Sequence, residues 1–316
     1  LFLDSQVGGF VGAQIKLAGY DAIVIRGAAD SPVFLKVEDD KVEIASAEDL
    51  WGKGCLETER TLKARLGNEF KVGSIGPAGE RLVRYACITF DLFRQAGRGG
   101  AGAVMGSKRL KALAVRGTKR LGYAEPEEFK EACRKAREMI RAHPFTPTRR
   151  RYGTPVWINP VNEAGLLPTR NFQSGVFEQA EQISGETMRE RIVVRDGACF
   201  NCILPCWKHS RFSIPGKQDL ELVGPEYETL ALMGSNCGVG SLEAVAYANL
   251  LCDDLGLDTI STGAAIAFAV ECGERKLLSE DQAMGLRLSF GEAETEFGLI
   301  RLIAQRRGLG GVLAEG

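Results

Sequence analysis

Residues 199–206 read CFNCILPC, which places Cys199 and Cys202 three residues apart and Cys202 and Cys206 four apart. Three thiols in one turn-sized stretch point to a metal held through sulfur, and such sites ordinarily take four ligands. One reading is a zinc site completed by His209, three residues past Cys206. The other is a four-iron cluster, in which a tight loop reaches three corners of a cube and leaves the fourth to a distant cysteine. The cluster fits the spacing better, because a zinc ribbon needs a second ligand pair. The order C-x2-C-x3-C is also the reverse of the radical-type C-x3-C-x2-C loop.

Three further stretches carry chemistry. Residues 94–108 read RQAGRGGAGAVMGSK, two arginines beside a glycine-rich turn. Glycines let backbone N–H groups approach an anion closely, and Arg adds bidentate, charge-assisted contacts. This is a phosphate or pyrophosphate cradle, but neither a Walker loop nor a dinucleotide fingerprint has this spacing. The competing reading is a close-packed glycine turn between strands. Residues 253–258, DDLGLD, place carboxylates on either side of Gly256, a helix C-cap by position. They could grip the N–H edge of a heterocycle, or simply end one helix before another that is capped at Thr259 or Ser261. In GPEYET, residues 224–229, Glu226 and Glu228 follow Pro225 at a helix start; they are dipole partners or, next to a redox site, proton acceptors.

The elements that must position these residues divide into two parts. Short β-branched runs at 22–26, 33–37, 71–75 and 110–115 read as strands bounded by turn signals, with one amphipathic helix over 47–66. From 123 onward the pattern is mostly helical, with helices expected near 127–142, 242–255, 262–272, 280–288 and 294–306 and a loop-rich region over 146–217 that holds the cysteines. The polar join at 117–123 marks a boundary, which gives an α+β chain: a β-rich part over 1–120 and a mainly helical part over 121–316. Net charge is −1, from 40 basic and 41 acidic residues, and gives no reason to expect nucleic acid or an anionic membrane as partner. No apolar run reaches the ~18 residues of a membrane span. The nine cysteines are odd in number and three are clustered, which favours a reducing, cytoplasmic setting over disulfides. Cys87, Cys133, Cys252 and Cys272 lie in apolar or helical patterns and read as small core residues. Leu1 opens the chain without a signal-peptide shape, and the last residues read as a loop in mid-course, so the sequence is expected to be a fragment.

These motifs, in this order, resemble the aldehyde ferredoxin oxidoreductases, tungsten enzymes of anaerobes. The resemblance runs through GGFVGAQIKLAGYDAIVIRG, SIGPAGE, AGRGGAGAVMGSKRLKALAV, CFNCILPC, GPEYETLALMGSNCG and DDLGLDTIST, nearly the whole chain. It implies a tungsten (or molybdenum) held by two pyranopterins, a [4Fe-4S] cluster beside it, and aldehyde oxidation with electrons passed to ferredoxin or another electron-transfer subunit. A homodimer is compatible with it. By motif, Arg94, Gln95, Gly97 and Arg98 would touch pterin phosphate or ring atoms, with Gly8 and Gln6 on the other side; Gln6 stands where typical members have Asn. Asp253, Leu257 and Asp258 match the D-x-x-G-L-D pterin motif. Cys199, Cys202 and Cys206 match three cluster ligands, and Glu228 matches the carboxylate near the metal, in the role of proton acceptor. The family extends downstream to a second D-x-x-G-L motif whose last residue is the fourth cluster cysteine; within this chain Cys237 and Cys252 are the remaining candidates. Two rivals stand beside aldehyde oxidation: reduction of aromatic thioesters or carboxylic acids on the same scaffold, and a non-catalytic, cluster-bearing electron-transfer subunit.

Overall fold

A computed structural model of the chain describes residues 2–316. The architecture is α+β. Six strands form one mixed sheet: β1 (Val33–Glu38), β2 (Lys41–Ser46), β3 (Lys71–Ser74), β4 (Ile88–Phe90), β5 (Arg94–Ala96) and β6 (Leu110–Arg116), in the spatial order β2-β1-β6-β3-β4-β5. Only β1 and β6 run parallel; every other neighbouring pair is antiparallel. β6 is apolar along most of its length, as suits a strand covered on both faces. Its one charged interior residue, Lys111, is fully buried and donates to Lys53 O at 2.7 Å and Glu80 Oε1 at 2.5 Å.

The run at 22–26 is not a strand. It lies over the sheet without joining its ladder, with Ile23 packed against the Leu35–Val37–Leu110 cluster and Val24 left 75% exposed. The helix expected over 47–66 begins only at Cys55, because Gly52 takes φ 89° and Gly54 is its N-cap. Asp254, from far along the chain, accepts from Leu56 N at 3.1 Å and supplies the capping acceptor that Gly54 lacks.

β4 and β5 carry the first candidate residues, and a tight connection aims them. Asp91 and Leu92 take left-handed backbone angles, φ 48° and 66°, at a cost of about 1 kcal/mol each. Buried Glu59 offsets part of that cost by accepting from Leu92 N at 2.6 Å. Neither strand was expected; at three residues each they are too short to show a period.

In the helical part, Leu242–Leu255 ends at Gly256, which takes the left-handed C-cap conformation (φ 76°, ψ 46°), and Thr259–Glu274 follows immediately. Asp258 caps that second helix, rather than Thr259 or Ser261. The helix expected over 280–288 is absent. Ser279 and Gln282 close one turn, after which Met284 and Gly285 take φ 54° and 73° and reverse the chain. Ala293–Gln305 packs beneath. The loop-rich region holds a small antiparallel sheet that the sequence pattern did not show, made of β7 (Val193–Gly197), β8 (Trp207–Ile214) and β9 (Lys217–Val223). The cysteine loop is therefore a hairpin connection between β7 and β8. The main core joins Ala78, Val83, Tyr85 and Ala86 of the first part to the helices of the second. A second core, with Leu50, Leu62 and Phe70, covers one face of the sheet, and a third, with Ala18, Leu35 and Val115, covers the other. No helix among the described residues is long and apolar enough to cross a membrane.

Candidate functional site

The glycine-rich turn after β5 serves two ends. Gly100 is left-handed (φ 83°), and a Cβ there would lie 2.1 Å from Arg84 O. At Gly102 a Cβ would lie 2.3 Å from Cys87 O, and at Gly106 1.9 Å from Gly79 O. These glycines let backbones touch, as the close-packing reading expects. Gly97 differs, since a Cβ there would meet nothing nearer than 3.8 Å. The open space of the turn thus lies at its start, between Arg94 and Arg98.

Behind that opening is a buried polar network. Gln95 Nε2 donates to Asp253 Oδ1 at 2.8 Å, and Asn249 Nδ2 donates to Asp253 Oδ2 at 3.0 Å. Gln95 Oε1 accepts from Thr89 Oγ1 at 2.8 Å and from the Cys87 thiol at 3.1 Å. Asp253 is 2% exposed. Burial pushes its carboxyl well above the ordinary carboxylate range, while the Gln95 hydrogen bond and the Arg94 charge pull the other way. The network locks the edge of the sheet onto the helix end that carries DDLGLD.

Arg94 is the orphan of the group. Its Nη2 is buried with no hydrogen-bond partner among the described residues, and its guanidinium lies 5.0 Å from the Trp207 ring centroid. Asp91 Oδ1 is also buried without a partner among the described residues, while its Oδ2 accepts from Phe10 N at 2.8 Å. A buried guanidinium N–H left unpaired costs free energy unless a ligand satisfies it. Arg98 is 61% exposed, with Nε 3.7 Å from Asp258 Oδ2. A cavity of about 880 Å³ lies against Arg98, Gly99 and the first turns of the Thr259–Glu274 helix.

The remaining motifs join this assembly by single contacts. Thr229 and Thr259 share a hydroxyl hydrogen bond of 2.9 Å, tying GPEYET to the helix that Asp258 caps. Glu226 is engaged by Thr154, whereas Glu228 is exposed and has no hydrogen-bond or ion-pair partner among the described residues. Leu230–Gly234, just beyond, is a π-helical turn, a form often found at functional sites. The cysteine loop crosses the N-terminal segment: a Cβ at Gly8 would lie 2.9 Å from Cys199 Sγ, and Phe200 N donates to Gly9 O at 3.1 Å.

Some expected residues stand apart. Gln6 is exposed, without a hydrogen-bond partner among the described residues. The Leu257 side chain is 1% exposed and packs in the main core. Cys202 is exposed, Cys199 and Cys206 are half-buried, and among the described residues no three His, Cys, Asp or Glu side chains converge to hold a metal ion. His209 Nε2 lies 3.2 Å from Glu221 Oε2, paired across β8 and β9. Cys237 and Cys252 are buried in the main core, and the Cys237 thiol faces Leu232 O at 3.3 Å. Cys87 and Cys252 are core residues, as their pattern suggested, but Cys133 and Cys272 are only half-buried because their helices keep one face to solvent. The sequence reading missed Thr89, Asn249, Asp91 and Trp207. Asn249 stands four residues before Asp253 on a helix, a spacing that does predict contact. The others become neighbours of the site only through the fold.

Family profiles described as the aldehyde ferredoxin oxidoreductase N-terminal domain and domains 2 and 3 match residues 1–117 and 131–316. The tungsten-containing aldehyde ferredoxin oxidoreductase of Thermococcus kodakarensis is 44% identical over 313 residues, 98% of this chain and 51% of the relative. An aliphatic sulfonate oxidoreductase, WOR-like subunit, of Pyrococcus furiosus is 34% identical over 97% of this chain and 51% of its own length. Among solved structures, the active site complex BamBC of benzoyl coenzyme A reductase with 1,5-dienoyl-CoA matches with TM-score 0.80 and 30% identity, covering 98% of this chain and 48% of that one. The chain spans about half the length of these relatives.

Proposed function

We propose a function from one premise: the chain belongs to the aldehyde ferredoxin oxidoreductase family. In this reading it forms part of an oxidoreductase that converts aldehydes to carboxylic acids and passes electrons through a [4Fe-4S] cluster to ferredoxin or another electron-transfer subunit. Residues 1–120 seat the cofactor, and 121–316 supply the cysteines and one pterin motif. The observation that carries the proposal is the buried Gln95–Asp253 bond with the unpartnered Arg94 Nη2 beside it. A preformed polar seat with a spare guanidinium N–H suits an anionic, N–H-rich heterocycle such as a pyranopterin.

The residues present fit that group. Arg94 and Arg98 would bind its phosphate or ring oxygens, and the open start of the glycine turn at Gly97 would admit its approach. Behind this seat, Asp253 and Thr89 hold Gln95 in place. Bound there, a tungsten or molybdenum pterin supplies the two-electron acceptor and the oxygen donor. Glu228, exposed and unpaired, takes the proton released from the substrate. Cys199, Cys202 and Cys206 would hold three corners of the cluster. Gly8 lets Cys199 lie close to the N-terminal segment, because a Cβ there would stand 2.9 Å from its sulfur.

A second reading keeps the same seat but runs a reduction of aromatic thioesters or acids; the match to the benzoyl coenzyme A reductase complex favours it. Metal analysis of the full-length protein, with aldehyde-dependent and benzoyl-CoA-dependent dye assays, separates the readings. Tungsten or molybdenum with iron, plus aldehyde oxidation, is the expected result. Iron without either metal would sink the enzyme reading.

A further inference from the structure

Trp207 has no part in the scheme above. It follows Cys206 directly and opens β8, and in the β7–β8 ladder it faces Gly197, which closes β7 two positions before Cys199. The pair is therefore the neck of the cysteine loop. The indole lies on the glycine: a Cβ at Gly197 would stand 2.0 Å from Trp207 Cη2 and 2.1 Å from Cζ2. The same ring carries the Arg94 guanidinium, 5.0 Å from its centroid. A planar cation on an indole face is held electrostatically as well as by contact. One side chain thus closes the loop and ties it to a residue of the cofactor seat.

We propose that Trp207 is a positioning residue: stacked between Gly197 and Arg94, it fixes the neck of the cysteine loop and keeps the Arg94 cation beside it, which sets the reduction potential of the group the loop holds. The proposal rests on the reading that the loop carries a cluster. A cation held near a cluster favours the added electron and raises its potential, so releasing Arg94 lowers it. Nothing in the sequence marks Trp207, and its effect passes through Arg94 and the loop rather than through contact with substrate.

The test is an EPR-monitored redox titration of the full-length holoenzyme, with iron and tungsten counted in each variant. Trp207→Ala is expected to lower the cluster midpoint by about 59 mV, which is tenfold in the reduced-to-oxidised ratio of a one-electron couple, and to change the line shape. Gly197→Ala pushes the ring away and leaves every candidate ligand in place, so it should shift the potential in the same direction. Trp207→Phe keeps an aromatic face and should restore most of the wild-type value. If Trp207→Ala fails to accumulate, the other two variants decide. A cluster with unchanged midpoint and signal in Gly197→Ala, or a Phe variant shifted as far as Ala, overturns the clamp alone. A wild-type protein without any iron–sulfur signal overturns the reading beneath it.

Discussion

Asp253 and Cys202 belong to the same candidate site, and the protein holds them in opposite ways. Asp253 is 2% exposed and accepts from the Gln95 and Asn249 amides at 2.8 and 3.0 Å, and Gln95 is braced in turn by Thr89 and Cys87. Cys202 is exposed, and its sulfur meets only Leu204 O at 3.6 Å. The seat is organised by the chain itself. The loop is closed at its neck by the Gly197–Trp207 pair, and its middle cysteine is left to solvent. An unpaired polar group in a buried network costs far more than one on a solvent-exposed loop.

The widest contrast to test is therefore in stability without cofactor. Asp253→Ala leaves Gln95 Nε2 and Asn249 Nδ2 buried and unpaired. At 1–3 kcal/mol for each orphaned group, the loss should be about 3 kcal/mol. Cys202→Ala removes an exposed thiol and should change stability by less than about 0.5 kcal/mol. Urea denaturation of the two variants checks both values. Equal losses would mean that the seat is no more organised than the loop.

A smaller contrast lies within the glycine turn. Gly102→Ala forces a Cβ to 2.3 Å from Cys87 O, a backbone atom that cannot move aside cheaply, and should cost about 2 kcal/mol. Gly97→Ala has 3.8 Å of clearance and should cost less than about 0.5 kcal/mol. Its effect should appear instead as lost tungsten and pterin in the full-length protein. If Gly97→Ala melts like Gly102→Ala, the turn is packing throughout and no part of it is reserved for a ligand.

Much of this was legible in the sequence, and what was not has physical causes. The strands at 33–37, 71–75 and 110–115 and the helices around DDLGLD follow from hydrophobic period and from Gly256, both local signals. β4 and β5 were not legible, because three-residue strands exist only through their partners; the small sheet beside the cysteines was hidden by its polar outer face. The runs at 22–26 and 280–288 misled in opposite ways. The first has strand-like residues but packs on the face of the sheet and not at its edge, and the second has helical spacing broken by a left-handed Met284–Gly285 pair. Of the candidate residues, Gln95 meets Asp253 and Arg98 meets Asp258 in the fold, whereas Leu257 turns inward to the core. Periodicity cannot report that, since Asp253 lies in the last turn of one helix, Asp258 caps the next and Leu257 sits in the link between them.

Asp258 is where the two accounts of DDLGLD meet. Its carboxylate accepts from Ile260 N at 3.1 Å, Ser261 N at 3.2 Å and Ser261 Oγ at 2.6 Å, an N-cap in full, and it also faces Arg98 at 3.7 Å. Asp258→Ala should cost about 1 kcal/mol, the usual value of a cap. Asp258→Asn keeps a capping oxygen and should lose only a few tenths, because Asn caps about as well as Asp. The exposed Arg98 pair adds little to stability in either case. Cofactor content then separates the roles. If the full-length Asn variant folds like wild type but loses tungsten, the charge itself serves the seat, through Arg98 or the ligand. If the Asn and Ala variants both keep their tungsten, Asp258 is a helix cap alone, and the grip on the pterin rests on Arg94, Gln95 and Asp253.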